Sequence, residues 1–303
     1  MMGETVSASA NRAYGLARVC RVWQVARSTI YHQRNLPADR QARRPGPVGA
    51  ATDAELVAEI RAVIEAAPFY GEGYRKVWAR LRQRGVRTAE RRVQRLMREH
   101  DLSAPNRPPQ RPANDHDGTI TTDRVDETWG TDMAQAILAC GARVHVFAAV
   151  DHCNSECIGL HAAFGANRWE ALEPVRQGVG RYFGPAASDV AAGLKLRHDH
   201  GSNYMAHDFQ REMRFLGIEA SPSFVREPEG NGVAERFFRT LKEQLLWVRT
   251  FHTLEELQEA LRAFRVWFNA NWLIQRHGHR TPDQVRADQQ AETMAATPTA
   301  MAA

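Results

Sequence analysis

Three kinds of hydrophobic spacing succeed one another along this chain. Apolar positions at helical spacing over 13–22 and 28–34 predict two short helices around a turn, with Leu16, Val19, Cys20, Val25 and Ile30 as a small core and Ser28 as an N-cap. After a Pro/Gly/Arg stretch (Arg43-Arg44-Pro-Gly-Pro47), longer helical patterns begin. Leu56, Val57, Ile60, Val63 and Ile64 predict a helix over 53–66, and Tyr74, Val77, Trp78 and Leu81 predict one over 73–83. Val93, Leu96 and Met97 predict a third over 88–100, with Thr88 as its cap and Gly85 in the preceding turn. Residues 104–118 interrupt every pattern with a Pro-rich polar run, which reads as a linker. Strand-like runs over 128–138, 142–150 and 157–164 then predict a three-strand meander. Helix 169–183, strand 194–198, helix 205–216, strand 218–224 and helices 231–248 and 254–271 follow. The tail from about residue 287 is rich in Ala, Gln, Thr and Met and is expected to be poorly ordered.

Three antiparallel strands followed by alternating helices and strands imply an α/β fold, a mixed sheet with helices on both faces, preceded by small all-helical helix-turn-helix modules. The expected domains are a helix-turn-helix segment at 1–45, a helical DNA-binding domain at 50–103, the linker at 104–118, an α/β core at 119–285 and a tail at 286–303.

Charge sharpens that division. The net charge is +5, yet residues 1–112 carry 21 Lys and Arg against 10 Asp and Glu, and the remainder 19 against 25. A basic front and a mildly acidic back suggest a nucleic-acid-binding region joined to a catalytic one. The 88–100 helix is crowded with Arg91, Arg92, Arg95 and Arg98, as a recognition helix would be, and Arg75 and Lys76 flank it. No run approaches 18 apolar residues, so no membrane span is expected. No secretion leader is visible, and four scattered cysteines read as reduced thiols in a cytoplasmic protein.

Three acids carry the chemistry: Asp132 in an extended run, Asp199 at the end of another, and Glu235 in a helical stretch. Burying Asp132 among apolar neighbours costs several kcal/mol unless something compensates it. A metal or an open cleft would do so, and two metals roughly 3.5–4 Å apart are a common device for displacing one oxygen from phosphorus by another. Glu235, Arg239 and Lys242 share one helix face by i, i+4, i+7 spacing, while Val233, Phe237, Leu241 and Leu245 can pack behind.

Several segments together carry a family resemblance. They are Trp129-Gly-Thr-Asp132, Val150-Asp151, His198-Asp199-His-Gly-Ser-Asn-Tyr204, Gly230-Asn-Gly-Val-Ala-Glu235 running on to Lys242, and Phe268-Asn before Arg280-Thr-Pro282. Residues 119–285 resemble the integrase catalytic core of retroviral integrases and bacterial transposases, which is ribonuclease-H-like. The whole chain is similar to the OrfB product of insertion-sequence transposases of the IS-three family; Tyr70-Gly-Glu-Gly-Tyr-Arg75 and Arg92-Val-Gln-Arg-Leu-Met-Arg98 match its upstream helix-turn-helix. The resemblance implies DNA cleavage and strand transfer with two Mg²⁺ ions, Mn²⁺ substituting, and a bacterial, nucleoid-associated location. By position it implies Asp132, Asp199 and Glu235 as metal ligands and Lys242 as a holder of the DNA end. It further implies DNA ends and target DNA as partners, a homo-oligomer on DNA, and an OrfA product or an OrfA–OrfB fusion. The segment Asn269 to His279 departs from the family's usual spacing. A silent DNA-binding regulator and a hydrolytic nuclease are the competing functions.

Other residues have weaker readings. Asp151 is either a fourth ligand or a solvated strand-end acid. One of His198 and His200 is expected to orient DNA or water, and a zinc site built with Cys153 and Cys157 is the minor alternative. Trp129, Phe237 and Phe238 are expected in the core, and Trp267 and Trp272 are expected to pack rather than stack on a base.

Overall fold

The computed structural model describes residues 5–35, 51–105, 121–222 and 231–300, with side chains to 295. The Arg43–Pro47 stretch, most of the Pro-rich linker, Phe224 and Gly230 lie outside the described residues. The chain divides into two compact units, 1–50 and 51–303.

The first unit holds helices α1 (Leu16–Val22) and α2 (Arg27–Arg34). Its expected core is thin. Among its described residues Cys20 alone is buried, and Val25 is 38% exposed. Ser28 is not the cap: Ala26 precedes α2 and offers no side-chain oxygen.

The second unit begins with α3 (Asp53–Glu65), α4 (Tyr74–Gln83) and α5 (Glu90–Glu99), closed around Leu56, Ile60, Val77, Leu81, Val93 and Met97. Thr52 starts α3 with a reciprocal capping box: its hydroxyl accepts from the Glu55 N–H, and the Glu55 carboxylate accepts from the Thr52 N–H. Ala89, not Thr88, precedes α5; the Thr88 carbonyl instead accepts the Trp78 indole N–H at 2.9 Å.

The sheet has order β3-β2-β1-β4-β5, from β1 (Thr128–Ile137), β2 (Arg143–Asp151), β3 (Cys157–Ala163), β4 (Lys195–His198) and β5 (Glu219–Pro222). β1, β2 and β3 are antiparallel, and β4 and β5 run parallel to β1. Strand alternation sorts the core. Val144, Val146, Ala148 and Val150 face α9 (Gly232–Leu241) and α10 (Leu254–Asn271), while Phe147 and Ala149 face α6 (Arg168–Tyr182) and α8 (His207–Phe215). The expected mixed sheet with a helix layer on each face is therefore present. α6 approaches closely because Gly178 has no side chain; a Cβ there would stand 2.2 Å from Ile158 and 2.8 Å from Trp129.

Two expected helices are altered. The 205–216 helix is present as α8, starting at His207 after the extended Ala206, and a separate short helix α7 (Ser202–Met205) precedes it. The 231–248 helix leaves α geometry at Lys242 and continues as a π turn over Lys242–Leu246, in which the Trp247 N–H reaches the Lys242 carbonyl at 2.8 Å. The tail differs more: α11 (Pro282–Ala300) is helical where no order was expected. Arg286 holds it down. This buried side chain forks onto Asp126 at 2.6 and 2.9 Å, meets Glu156 at 2.5 Å and lies 3.9 Å over the Tyr182 ring. Charge is what the residue contributes, and the composition of the tail conceals it.

Arg286→Met strands Asp126 and Glu156 without their cation, and breaking one side of a buried pair costs about 3–5 kcal/mol. Urea unfolding should show a loss of that size. A loss under about 1 kcal/mol would mean that α11 is held otherwise.

Candidate active site

The acid cluster is built by strand register. Along β1 and β4 the parallel partners are Thr128 with Lys195, Trp129 with Leu196 and Gly130 with Arg197. Asp132 lies two residues beyond Gly130 within β1, and Asp199 two residues beyond Arg197, just past the end of β4. The third acid arrives on α9. Asn231, which precedes that helix, is buried, and its amide donates to the Thr131 carbonyl at 2.9 Å. The first turn of α9, with Glu235, is thereby tied to the residue next to Asp132.

The charges at the site show this convergence. Burial pushes the Asp132 carboxyl up to about 6; the Met133 N–H and Lys242 oppose the rise, and Asp199 and Glu235 add to it. Asp132 is partly buried, and Asp199 and Glu235 are exposed. Among the described residues no three His, Cys, Asp or Glu form a ready coordination shell. The acids share one field rather than one shell. A desolvated carboxylate repelled by two others fits a hard divalent cation, which takes oxygen ligands and relieves both penalties.

Asn231 is an anchor rather than part of a free turn. It needs the glycine of the Trp-Gly-Thr-Asp run, because a Cβ on Gly130 would meet Asn231 Oδ1 at 2.5 Å and His152 Nε2 at 2.6 Å. An Asn-Gly pair ahead of a helix was the available signal, but its usual reading is a turn. Tyr204 was also missed. It is buried, burial raises its pKa so that the hydroxyl stays protonated, and Asp132 and Asp199 both act on it.

The histidines divide. His198 is fully buried and burial lowers its pKa, so it is neutral. Nδ1 donates to the Asp199 carbonyl at 2.6 Å, Nε2 faces the Gln210 amide at 3.4 Å, and the ring stacks on Tyr204. It holds the backbone of Asp199 and is closed to solvent, whereas His200 is exposed. Cys153, on the β2–β3 connection, and Cys157, at the start of β3, are buried free thiols whose pKa burial raises. Neither reading of Asp151 holds. It is fully buried and accepts the N–H groups of Asp126, Cys153 and Asn154 at 2.7, 2.7 and 3.2 Å, with burial pushing it up to about 7. Its carboxylate folds the β2–β3 connection.

The basic residues named from sequence are unequally available. Arg92 and Arg95 both clamp Asp53 at 2.7 Å, and Arg95 also meets Glu99 at 2.6 Å. Arg75 pairs with Glu90, and Arg239 with Glu243. Lys76 Nζ lies 2.8 Å from the centre of the Trp272 ring, beside Phe69. Trp267 and Trp272 pack on Phe69 and Phe268, as expected. Arg91 and Arg98 are exposed and have no ion pair among the described residues.

Comparison with known proteins finds two family models and a set of relatives. An HTH-like domain model matches residues 51–110, and an integrase core domain model matches 216–282, the half of the site that contains Glu235. Transposase InsD for insertion element IS2A/D/F/H/I/K of Escherichia coli is 28% identical over 287 residues, covering 89% of this chain and 90% of its own length. The IS2 transposase InsD on the F plasmid gives the same figures. Among solved structures, the catalytic core domain of BIV integrase is 20% identical with a TM-score of 0.41, covering 56% of this chain and 99% of that one. The simian T-cell lymphotropic virus intasome in complex with PP2A regulatory subunit B56 gamma is 15% identical with a TM-score of 0.45, covering 78% and 74%. The class is that of proteins with an integrase core behind an HTH-like segment. Over most of its length the chain is similar to the insertion-element transposases of the InsD type.

Asn231→Leu and Gly130→Ala attack one contact from two sides, and each should loosen α9 from β1. Amide hydrogen exchange should accelerate across the first turn of α9 in both variants, while β3 stays protected. Unchanged exchange would remove the anchoring role.

Metal-free stability should also depend on pH through Asp132. Its folded pKa of about 6 exceeds the ordinary 3.8, so the native state keeps a proton that the unfolded chain has released. Native stability then falls as pH rises from about 4 to 6, by up to about 3 kcal/mol. In chelator, Asp132→Asn should exceed the parent in stability at pH 7.5 and lose that advantage at pH 4. Equal stability at pH 7.5 would contradict the shift.

Proposed function

We propose that this chain cuts and joins DNA at the ends of an insertion element, with Asp132, Asp199 and Glu235 as the ligands of two Mg²⁺ ions that Mn²⁺ can replace. The observation that supports the reading is the field at Asp132: its half-buried carboxyl feels Asp199 and Glu235, which raise its pKa, and Lys242, which lowers it. A bound divalent metal would supply Lewis acidity, activating the attacking hydroxyl and stabilising the leaving oxygen. The residues supply position. β1 and β4 set the spacing of the first two acids, α9 carries the third, and His198 holds the backbone at Asp199. Lys242 brings positive charge to the cluster and suits a DNA phosphate there.

The reaction has two balanced steps. Water attacks the phosphodiester at the element end, a P–O bond forms as another breaks, and a 3′-hydroxyl is released. That hydroxyl then attacks a phosphodiester of the target strand, again exchanging one P–O bond for another and freeing a target 3′-oxygen, which takes up a proton. Arg91 and Arg98 suit DNA better than the paired arginines of α5. Pairing two ends requires a homo-oligomer on DNA, and an OrfA product or fusion would add end recognition.

Asp199→Asn should bind DNA as the parent does and lose strand joining by at least about a thousandfold, on the scale of removing one catalytic electrostatic group. A Mg²⁺-dependent assay with labelled ends and a plasmid target reads this. Unchanged joining in the variant would reject the assignment. Nicked products without joining in the parent would make the chain a nuclease, and DNA binding without any cleavage would make it a silent regulator.

A further inference from the structure

A second cationic site lies at the far edge of the sheet. β3 is an edge strand, and its outer main-chain groups are capped by side chains from the flanking helices. Gln177 of α6 accepts the Leu160 N–H at 3.2 Å, Gln258 of α10 donates to the Ala162 carbonyl at 2.8 Å, and Arg265 reaches the Ile158 carbonyl at 3.4 Å. These caps close the edge to strand addition. Above them, between α6 and α10, is a cleft of about 410 Å³ into which Arg181, Arg262 and Arg265 project, with Glu173 as its one acid. Spacing explains the convergence: 173, 177 and 181 fall on one face of α6, and 258, 262 and 265 on one face of α10.

The cleft's arginines differ from their neighbours. On the same α6, Arg168 pairs with Asp208 and Arg176 with Glu212. Arg181, Arg262 and Arg265 have no carboxylate partner among the described residues, and the Arg265 Nε is buried with no hydrogen-bond partner there. Three guanidiniums against one carboxylate leave positive charge in a concavity large enough for a phosphate and its adjoining sugar. Planar forks of N–H donors match phosphate oxygens. Register places this cleft level with the acids. Asp132 stands opposite Ala148, and Ala148 opposite Leu160, so two strand spacings of about 10 Å separate the two along the sheet.

We propose that the cleft binds a backbone phosphate of DNA away from the reacting phosphate, as a second grip on the substrate. Only the identity of the ligand rests on the proposed function; the test therefore uses binding in chelator, where no chemistry occurs. A short linear duplex is titrated with the full chain at several salt concentrations. Arg181 and Arg262 are exposed, so Arg181→Gln/Arg262→Gln leaves the fold undisturbed. Each lost phosphate contact should reduce the slope of log affinity against log salt by about 0.9, and affinity should fall about tenfold at moderate salt. Arg262→Lys should keep the slope. An unchanged slope in the double Gln variant would overturn the proposal. Inorganic phosphate and a deoxynucleoside monophosphate, added at constant ionic strength, separate the sources. Binding of either small phosphate that these variants lose, with the DNA slope unaltered, would assign the cleft to a free phosphate and overturn the DNA assignment.

Discussion

The parallel pairing of β1 with β4 is the constraint from which the site follows. Antiparallel neighbours would bring together residues from opposite ends of their strands, whereas parallel neighbours in register keep equal steps side by side. From Gly130 opposite Arg197, two steps reach Asp132 and Asp199. Two carboxylates so placed repel, and Asp132 pays part of that penalty through its raised pKa. The fold thus holds a local instability in place. Such a cluster persists only when the surrounding structure is rigid enough to prevent the acids from moving apart, and its natural relief is a cation.

Buried polar contacts add to the apolar packing on both faces of the sheet. Asn231 joins α9 to the Thr131 carbonyl, Asp151 gathers three N–H groups, and Arg286 ties α11 to Asp126 and Glu156. Arg276 and His277 reach from beyond α10 to the carbonyl of Cys153. Apolar cores tolerate sliding by a fraction of a side chain; a buried amide on a buried carbonyl does not, because either group left unpaired costs about 1–3 kcal/mol. The contacts are distributed accordingly, at the start of β1, at the β2–β3 connection and at the foot of α9, all within a few residues of the acids or of the strand that carries Asp132.

Much of this was legible in the sequence, and the illegible parts share a cause. Strands 128–138, 142–150 and 157–164 and the 254–271 helix stood out because their apolar positions repeat at the period of the element. Asp132, Asp199 and Glu235 stood out because each interrupts or ends such a pattern. Asn231, Asp151 and Arg286 did not, since a polar residue beside a turn or in an Ala- and Gln-rich tail reads as solvated. Each has a partner at least 25 residues away, and no local period encodes that contact. The π turn at Lys242 was equally hidden: helical spacing of Phe237, Leu241 and Leu245 persists across the change in hydrogen bonding.

Charge counted by segment misleads in a related way. The basic front of the chain suggested a broad DNA face, but Asp53 occupies Arg92 and Arg95, Glu90 occupies Arg75, and Glu72 occupies Arg80 at 2.5 Å. These pairs staple α3, α4 and α5 to one another, and an arginine fork on a carboxylate offers little to a phosphate. The acidic back of the chain, by contrast, places Lys242 among the carboxylates and three arginines in the cleft over β3. Affinity for a polyanion follows the cations left without a partner, not the sum over a region. By that criterion the sheet region, negative by count, holds concentrated positive sites of its own, beside the arginines of the helical segment that have no ion pair among the described residues, Arg91 and Arg98 among them.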